Sequence, residues 1–409
     1  MQKFDITVVG MGMVGCATAA LLAKSGFKVA LADAKEPPEW TADEPSGQVS
    51  ALNIASIRIL KFLGVWDQIT LSVRMYSGMD VWDRNSPAQI EFSAQTVNQP
   101  ALGAIVHNNL VTHTLLEKLE QNFSVTVLKS HTLHSMDTRS EGVNLDFGSA
   151  NSLTTKLVVG ADGKNSTVKS LAGISDSTER FDQDAITAAI EFDSPAENIA
   201  YQCFLNTGPV ALLPMPSGQF SLVWSLDSDQ MPEHLNASDE DFIQELEAVF
   251  SPKLGSIKGI SSRATFPLVS VHADTYLASR VALVGDAAHA IHPLAGLGAN
   301  IGFLDAACLA QELDRAHRRD QDISRHTVLR RYERWRKGEN ENIRQLMKWF
   351  KEGFGTTNEI VSAIRSTGMN TIDNLPPVKQ LLVRAACGID GDLPEICRSP
   401  NDGSVFGRW

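Results

Sequence analysis

The first glycine cluster of the chain has the spacing of a phosphate-binding turn. It reads Gly10-x-Gly12-x-x-Gly15 and lies between an apolar run and a stretch with helical spacing. Gly10 permits a tight turn, Gly12 lets the backbone approach a pyrophosphate, and Gly15 allows close packing of helix on strand. Asp33, at the end of the next short apolar run, is placed to accept hydrogen bonds from ribose hydroxyls. This combination predicts dinucleotide binding rather than a purely structural turn.

A second cluster ends a later apolar run. Gly160-Ala161-Asp162-Gly163 follows that run, and Ser166 is placed to begin a helix. Asp162 could act at a cofactor, or it could only cap the next helix. Taken alone, the residues favour the local cap.

A third cluster begins with Gly285-Asp286 and continues through Gly296 and Gly298 to a helix that opens near Ala299. The Asp286 carboxylate could accept hydrogen bonds from a ribityl chain. The glycine-rich backbone could approach a flat ring, and the helix N-terminus could stabilise negative charge there. A capped turn with a buried aspartate is the alternative, and the spacing does not decide between the two.

The elements that must position these clusters alternate between strands and helices. A strand, a helix and a second strand open the chain as a βαβ unit. A strand-rich block between two dinucleotide-like pieces predicts a second lobe. The predicted elements are strands at residues 4–9, 28–32, 78–93 and 281–284, a strand-rich block at 185–226, helices at 56–63, 110–121, 239–250 and 299–319, and a mostly helical end that breaks at Pro376-Pro377.

Composition excludes several classes of protein. The 409 residues suit two or three packed lobes, and 36 Lys and Arg against 48 Asp and Glu give a net charge of −12. That charge disfavours a uniformly basic nucleic-acid binder. The five scattered cysteines form no CxxC pair, so neither a disulfide framework nor a metal site is predicted, and a reducing cytoplasm is the simplest compartment. No signal peptide or membrane span is predicted.

Together the three clusters resemble those of the class A flavoprotein aromatic hydroxylases. Further stretches are similar to the ring hydroxylases of ubiquinone biosynthesis, most of all to bacterial 2-polyprenylphenol hydroxylases of the VisC/UbiI type. The resemblance extends from residue 1 to about residue 395. The stretches that carry it include Val49-Ser50-Ala51-Leu52-Asn53, Gly78-Met79-Asp80-Val81-Trp82-Asp83, Val223-Trp224-Ser225-Leu226, Phe266-Pro267-Leu268, Asp286-Ala-Ala-His289-Ala-Ile-His292-Pro293 and Arg330-Arg331-Tyr332-Glu333-Arg334.

The resemblance implies an α/β fold of the p-hydroxybenzoate hydroxylase type. A Rossmann-like FAD-binding domain would comprise residues 1–75, 101–182 and 270–342, and an inserted β-sheet substrate domain would comprise residues 76–100 and 183–269. A helical C-terminal region would span residues 343–409. The residues expected at FAD are Gly10, Gly12, Gly15, Asp33, Asn108, Asp162, Gly285, Asp286, Pro293, Gly296, Gly298, Ala299 and Asn300.

The implied reaction is hydroxylation of the aromatic ring of a polyprenylphenol. NAD(P)H would reduce FAD, and reduced flavin would react with O₂ to give a C4a-hydroperoxide that transfers OH⁺ to the ring, without a metal. His289, His292 and Pro293 are the catalytic candidates at the reactive edge of the flavin. Each histidine is also explained as a hydrogen-bonded structural residue at the end of a strand. Other ubiquinone-biosynthesis proteins are expected partners, and nucleic acid is not.

Three positions depart from the usual pattern of these hydroxylases. Gln48 stands where they carry Arg, and Leu297 stands where they carry Gln. His107 replaces the common Glu before Asn108. Gln48 removes a cation near the cofactor and Leu297 removes an amide near the flavin.

The strand-rich block is expected to cover the substrate. Its apolar face is predicted to include Phe204, Leu212, Leu213, Phe220 and Trp224, and a core role is favoured over substrate contact for each of them.

The C-terminal region differs in charge from the rest of the chain. Residues 313–409 carry 17 Lys and Arg against 13 Asp and Glu, a net charge of +4. Within this region, Ile343, Leu346, Met347, Phe350 and Phe354 form an apolar stripe at helical spacing, flanked by Arg344, Lys348 and Lys351. Such a helix could contact the inner face of the membrane, or pack its stripe on the FAD lobe.

Two other functions stay open on the sequence. One is hydroxylation of a small soluble aromatic compound by the same flavin chemistry. The other is a non-catalytic FAD-binding scaffold in a biosynthetic complex, because a fold does not by itself establish an activity.

Overall fold

The structure is a computed structural model that describes most of the chain. It covers residues 2–37, 39–41, 48–148, 152–194, 197–205, 207–290, 297–354 and 375–398, except the side chains of residues 180, 181, 297 and 346–354. Its strands are β1 (Gln2–Val9), β2 (Val29–Ala32), β3 (Val49–Asn53), β4 (Arg74–Tyr76), β5 (Gly78–Asp83), β6 (Gln89–Ser93), β7 (Gly103–His107), β8 (Val125–Leu128), β9 (Ser135–Arg139), β10 (Gly142–Asp146), β11 (Ser152–Gly160), β12 (Asp176–Phe192), β13 (Ile199–Leu205), β14 (Gly208–Pro214), β15 (Phe220–Asp227), β16 (Ile257–Ile260), β17 (Ala264–Ala273), β18 (Leu277–Ala278), β19 (Val281–Leu283) and β20 (His289–Ala290).

The helices connect and cover these strands. They are α1 (Met13–Lys24), α2 (Ile54–Leu63), α3 (Trp66–Ile69), α4 (Asn108–Glu120), α5 (Thr167–Leu171), α6 (Met231–Asn236), α7 (Asp239–Leu254), α8 (Leu297–His317), α9 (His326–Phe354) and α10 (Pro376–Ala386). Pro376 stands at the start of α10, where its missing N–H costs nothing, so the predicted break at the two prolines is the beginning of a helix.

A parallel sheet forms the centre of the first lobe. Its strands lie in the order β8–β2–β1–β11–β19, all parallel, with β10 and β18 added antiparallel. The strands are apolar along nearly their whole length because both faces are buried; Ile6, Val8, Leu157 and Val158 are fully buried. All carboxyl ends of parallel strands meet at one edge, so the turns after β1, β2, β11 and β19 lie side by side.

A second, mostly antiparallel sheet forms the other lobe. In the described part of the chain its strands lie in the order β20–β17–β12–β15–β14–β13–β5–β6. Helix α7 packs on one face, where Phe242 and Phe250 join Leu212, Phe220 and Trp224 in one buried cluster. The predicted core role of these three strand residues is confirmed.

The predicted apolar face of this sheet is wrong in two residues, Leu213 and Phe204. Leu213 follows Leu212 in β14, so its side chain points to the opposite face, and it is half-buried there. Phe204 is buried in a separate small cluster with Val81 and Ile90.

The last described residues, 375–398, pack back on both lobes. Val383 and Cys387 are buried against β6 and the residues after it, and Leu393 and Cys397 join the core of the parallel sheet. Arg58 Nη1 donates a hydrogen bond to the Cys397 carbonyl at 2.5 Å. The last described residues therefore belong to the packed structure.

The predicted fold class is confirmed, with a parallel sheet covered by helices, an added β-sheet and helices near the end of the described chain. The predicted lobe boundaries stay a prediction. Three of them, after residues 75, 182 and 269, fall inside the strands β4, β12 and β17, and the one after residue 342 falls inside α9. Among the described helices, none combines the length and the hydropathy that crossing a membrane requires.

Candidate active site

The first glycine turn is built as a backbone cradle. Gly10 has a φ of +113°, and a Cβ there would lie 2.3 Å from the Ala161 carbonyl oxygen. A Cβ on Gly15 would lie 1.9 Å from the Gly10 carbonyl oxygen, so only glycine lets α1 begin this close to the turn. Gly12 caps α1, is exposed, and has no atom within 4 Å of a Cβ position. The N-terminus of α1 is therefore open to a ligand.

Asp33 ties the turn after β1 to the end of β2. Its carboxylate accepts hydrogen bonds from the Met11 amide at 2.6 Å and from the Lys35 amide at 2.9 Å. Asp33 is half-buried, and a carboxylate can accept about four hydrogen bonds. It therefore keeps acceptor positions for further donors.

Asp162, in the turn after β11, is hydrogen-bonded to the start of the next helix. Its carboxylate accepts hydrogen bonds from the Ser166 hydroxyl at 2.5 Å, the Thr167 amide at 2.7 Å and the Val168 amide at 3.1 Å. Ser166 also caps α5 as predicted, accepting from the Lys169 amide at 2.9 Å. The structure thus shows the local cap, and a role for Asp162 at the cofactor stays a prediction.

Asp286, in the turn after β19, is arranged differently. Its side chain is exposed, and no described residue donates a hydrogen bond to it. Dense protein packing around it removes water and raises the pKa of the carboxyl, although the charges of His289 and Lys164 oppose this. Asp286 thus presents its carboxylate at the carboxyl edge of the parallel sheet, and the space around it, beside the first turns of α1 and α8, is called the cleft below.

Two helices begin at this cleft. Val14, in the first turn of α1, packs against Gly285 on one side and against Gly302 of α8 on the other. A Cβ atom added to Gly285 would lie 3.1 Å from a Val14 methyl group, and one added to Gly302 would lie 2.5 Å from the other. This contact brings the first turns of α1 and α8 to the Asp286 turn. Near the start of α8, Gly298 has no neighbour within 4 Å of a Cβ position, and Ala299 is half-buried.

The expected residues His292, Pro293 and Gly296 lie outside the described residues. The side chain of Leu297 does so too. Their roles stay predictions.

Asn300 joins α8 to the first lobe. Its side-chain oxygen accepts from the Asn53 amide at 2.8 Å and the Ser56 hydroxyl at 2.7 Å, and its Nδ2 donates to the Ala51 carbonyl at 2.7 Å. Asn300 is buried, and these hydrogen bonds fix the start of α8 against the first lobe.

Asn108 and His107 lie at the start of α4. The Asn108 Oδ1 accepts from the Ser50 hydroxyl at 2.7 Å, and its amide donates to the Gln48 carbonyl at 2.9 Å. His107 packs beside Trp40 with ring centroids 5.2 Å apart, and burial lowers the pKa of its imidazole. The position of Gln48 is thus fixed through its backbone.

His289 points into the protein rather than into the cleft. It is 1% exposed, and its Nε2 lies 2.5 Å from Oδ2 of Asp305, which is fully buried. Arg336 donates from Nε to Oδ1 of Asp305 at 2.8 Å and from Nη2 to Oδ1 of Asn340 at 2.9 Å. This geometry favours the structural alternative for His289 over a direct catalytic role.

Sequence reasoning missed Asp305 and Arg336. Burial alone would raise the pKa of Asp305, but the charges and hydrogen bonds of His289 and Arg336 lower it to about 2. The sequence did carry a signal for Asp305, which is an acidic residue inside the mostly apolar stretch from Ile301 to Leu313 of α8. A charge buried in such a stretch requires a partner of opposite charge.

The geometry at this edge fits a dinucleotide with a charged, flat group. The site combines an open helix N-terminus at Gly12, an acceptor at Asp33 and a carboxylate without a donor among the described residues at Asp286. Phosphates bind helix N-termini, and ribose or ribityl hydroxyls bind carboxylates.

The chain is similar to known flavoproteins along most of its length. Residues 3–342 match the family described as FAD binding domain. The ubiquinone hydroxylase UbiL of Rhodospirillum rubrum is 33% identical over 384 residues, covering 94% of this chain and 89% of that protein. The 3-demethoxyubiquinol 3-hydroxylase of Escherichia coli is 31% identical over 390 residues, covering 95% of this chain and 99% of that protein. The crystal structure of p-nitrophenol 4-monooxygenase PnpA from Pseudomonas putida superposes with a TM-score of 0.76 at 20% identity, covering 94% of this chain and 98% of that chain.

Fold and relatives together define an enzyme class, the FAD-dependent aromatic monooxygenases. The chain belongs to the FAD binding domain family and groups there with the hydroxylases of ubiquinone biosynthesis. FAD as the cofactor, predicted from the glycine and aspartate clusters, is confirmed.

Proposed function

We propose that this protein hydroxylates the aromatic ring of a polyprenylphenol in ubiquinone biosynthesis, with O₂ as oxygen donor and NAD(P)H as reductant. The observation that carries the proposal is the cleft at Asp286, which lies where the parallel sheet meets the first strand of the second sheet. Strand β20 begins three residues after Asp286 and pairs with β17. A cofactor in the cleft would therefore lie beside the sheet expected to cover the substrate.

The open groups of the cleft indicate which residues would hold FAD. Gly12 and the N-terminus of α1 would bind the pyrophosphate, Asp33 the adenosine ribose, and Asp286 the ribityl chain. The start of α8 at Gly298 and Ala299 would place a positive dipole end beside the flavin ring. Bound FAD supplies the electron transfer and the activation of oxygen.

The second sheet offers a surface suited to a flat ring with an apolar tail. The face opposite α7 is half-buried and carries small or apolar side chains. Across β12, β15 and β14 the register aligns Thr187 with Val223 and Ala211, and Ala189 with Ser221 and Leu213. Small side chains leave room for a ring, and their low polarity helps to exclude water from the reacting atoms.

The named relatives support a prenylated aromatic substrate. UbiL is named a ubiquinone hydroxylase, and the Escherichia coli relative is named for 3-demethoxyubiquinol. The stretches similar to 2-polyprenylphenol hydroxylases are the basis for proposing a polyprenylphenol as substrate. The product formed in the tests below identifies which ring carbon is hydroxylated.

A lipid-soluble substrate also motivates the proposed location, in the cytoplasm with peripheral contact at the inner face of the membrane and with other ubiquinone-biosynthesis proteins. Of the three cations that flank the apolar stripe of α9, Arg344 forms ion pairs with Glu341 at 2.8 Å and Glu179 at 3.6 Å. Arg344 is thus engaged on the protein. Lys348 and Lys351, whose side chains lie outside the described residues, would make the lipid contact.

The function is tested by complementation with quinone analysis. A strain deleted for the gene should lack ubiquinone and accumulate a polyprenylphenol, and the wild-type gene should restore the quinone. The Asp162→Ala gene should restore ubiquinone too, whereas the Asp286→Ala gene should restore much less. Of these two aspartates, Asp286 is the one proposed here to hold the cofactor. A deletion strain with normal ubiquinone and no accumulated polyprenylphenol would refute the proposal.

An in vitro reaction separates this function from hydroxylation of a small aromatic. Purified protein with FAD, NADH or NADPH and ¹⁸O₂ should add one labelled oxygen atom to a prenylated phenol. Labelling of p-hydroxybenzoate but not of the prenylated phenol would support the small-aromatic alternative. NAD(P)H oxidation without labelled product from either would contradict both.

A further inference from the structure

One buried carboxylate holds both ends of the segment that carries Asp286. Oδ2 of Asp305 accepts a hydrogen bond from the Gly285 amide at 3.1 Å and lies 2.5 Å from Nε2 of His289. Gly285 has a φ of +58° and begins the turn, and His289 begins β20. Asp305 therefore fixes the segment from beneath, while Asp286 faces the cleft.

The other oxygen of Asp305 is fixed from α9. Arg336 Nε donates to Oδ1 at 2.8 Å, and Asn340 Nδ2 donates to it at 3.3 Å. Arg336 is 1% exposed and also pairs with Glu339. A buried ion pair adds little net stability compared with apolar packing, but it imposes a definite geometry on the groups it joins.

The same network links the two lobes. His289 pairs in β20 with His272 of β17, the strand that runs on into the second sheet. Tyr276 packs against the ring of His289 at 5.7 Å and accepts a hydrogen bond from Asn340 at 3.3 Å. The position of Asp286 is thereby tied to both sheets.

We infer that Asp305 is a positioning residue for FAD, acting through Gly285 and His289 to hold Asp286 in the place where it binds the cofactor. The inference rests on the proposed assignment of Asp286 to the cofactor site. Arg336 keeps Asp305 in place, and Asp305, Arg336 and His289 are each at most 1% exposed.

The test uses the hydrogen bond from His289, because two substitutions separate it from packing. His289→Gln keeps an N–H near the position of Nε2, whereas His289→Leu fills similar space without a donor. The matched control is Tyr332→Phe, which removes the hydrogen bond from Tyr332 to the Leu283 carbonyl at 2.7 Å. Tyr332 is buried one helical turn before Arg336 and does not bond the 285–289 segment.

Release of FAD from the purified holoprotein on dilution, followed by flavin fluorescence, gives the dissociation constant of each variant. Thermal unfolding and the visible circular dichroism of bound flavin are recorded in parallel. His289→Leu should raise the dissociation constant about 10- to 100-fold and change the flavin dichroism, because a hydrogen bond to a charged group is lost. His289→Gln should stay within about threefold of wild type. Tyr332→Phe should lower Tm without changing the dissociation constant.

Two results would overturn the inference. One is a His289→Leu protein whose Tm is lowered as in Tyr332→Phe but which binds FAD as tightly as wild type. The other is equal weakening by both His289 variants, which would assign the effect to ring packing. If His289→Leu does not fold, Arg336→Lys replaces it: it keeps the charge but loses the planar fork, and unchanged FAD affinity there would refute the inference.

Asp286→Ala separates this inference from the site assignment beneath it. If Asp286→Ala leaves FAD affinity unchanged, the assignment of Asp286 fails, and the inference fails with it. If Asp286→Ala weakens FAD binding while His289→Leu does not, only the positioning role of Asp305 fails.

Discussion

The turns after β11 and β19 have similar sequences and different structures. Each contains a glycine and an aspartate after a buried strand of the same parallel sheet. The Asp162 carboxylate accepts three hydrogen bonds from the start of α5. The Asp286 carboxylate accepts none from the described residues and is exposed at the carboxyl edge of the sheet.

The difference arises from the element that comes after each turn. A helix with a serine cap begins within five residues of Asp162, so its carboxylate has local donors. Asp286 itself lies in a 3-10 turn that is followed by β20, and the neighbouring amide of Gly285 donates to Asp305 instead. An aspartate at the carboxyl edge of a parallel sheet is thus available to a ligand only where the neighbouring backbone amides bond to other acceptors.

The largest effect is expected from the network beneath Asp286, in which Asp305 and Arg336 are almost fully buried. Asp305→Asn leaves the buried Arg336 guanidinium with Glu339 as its one remaining carboxylate among the described residues, so the free energy of unfolding should fall by about 3–5 kcal/mol at pH 7 in urea titrations. The pKa of Asp305 is lowered in the folded protein to about 2 from an ordinary value near 3.8. Its ionic contribution is therefore present above about pH 4 and is lost as the pH falls toward 2. The difference in free energy of unfolding between wild type and Asp305→Asn should therefore decrease by about 2 kcal/mol over that range. A difference that stays constant with pH would contradict this account.

The next effect is on cofactor binding. Asp286→Ala should raise the FAD dissociation constant about 10- to 100-fold, because charge-assisted hydrogen bonds to ligand hydroxyls are lost. Tm of the FAD-free protein should hardly change, since no described residue depends on this carboxylate. Flavin fluorescence and thermal scans measure the two quantities.

The counterpart substitution should show the opposite pattern. Asp162→Ala removes acceptors from Ser166, Thr167 and Val168, and should lower the free energy of unfolding by about 1–2 kcal/mol. FAD affinity should stay within about threefold of wild type. A large loss of FAD affinity would mean that Asp162 also serves the cofactor, as the family resemblance implies.

The smallest effect is expected at a glycine of the Asp162 turn. Gly163 has a φ of +81° and open space around it, so Gly163→Ala should cost about 1 kcal/mol of stability from backbone strain alone. Gly12 has an ordinary φ of −71°, so Gly12→Ala should not destabilise the protein but should weaken FAD binding. If both substitutions changed the same property, the turn after β1 and the turn after β11 would not differ in their access to the cofactor.

Local patterns in the sequence predicted the parallel sheet and its glycine turn. The strand, turn and helix around Gly10 and Gly15 depend on neighbours within a few residues, and the predicted long helix at 299–319 is α8, Leu297–His317. The capping of α5 by Ser166 was readable for the same reason.

The network of Asp305 was not readable from the sequence because its contacts are distant along the chain. Gly285 precedes Asp305 by 20 residues, and Arg336 follows it by 31. The inward direction of His289 depends on the same contacts. The two faces of β14 were predictable from strand alternation, but α7 decides which of them is core.

FAD titration of the Asp162→Ala and Asp286→Ala proteins side by side tests the central claim most directly. The account predicts a dissociation constant raised at least about 10-fold for Asp286→Ala only, with a lowered Tm for Asp162→Ala only. An Asp286→Ala protein that binds FAD as tightly as wild type would show that the open carboxylate at Asp286 does not hold the cofactor.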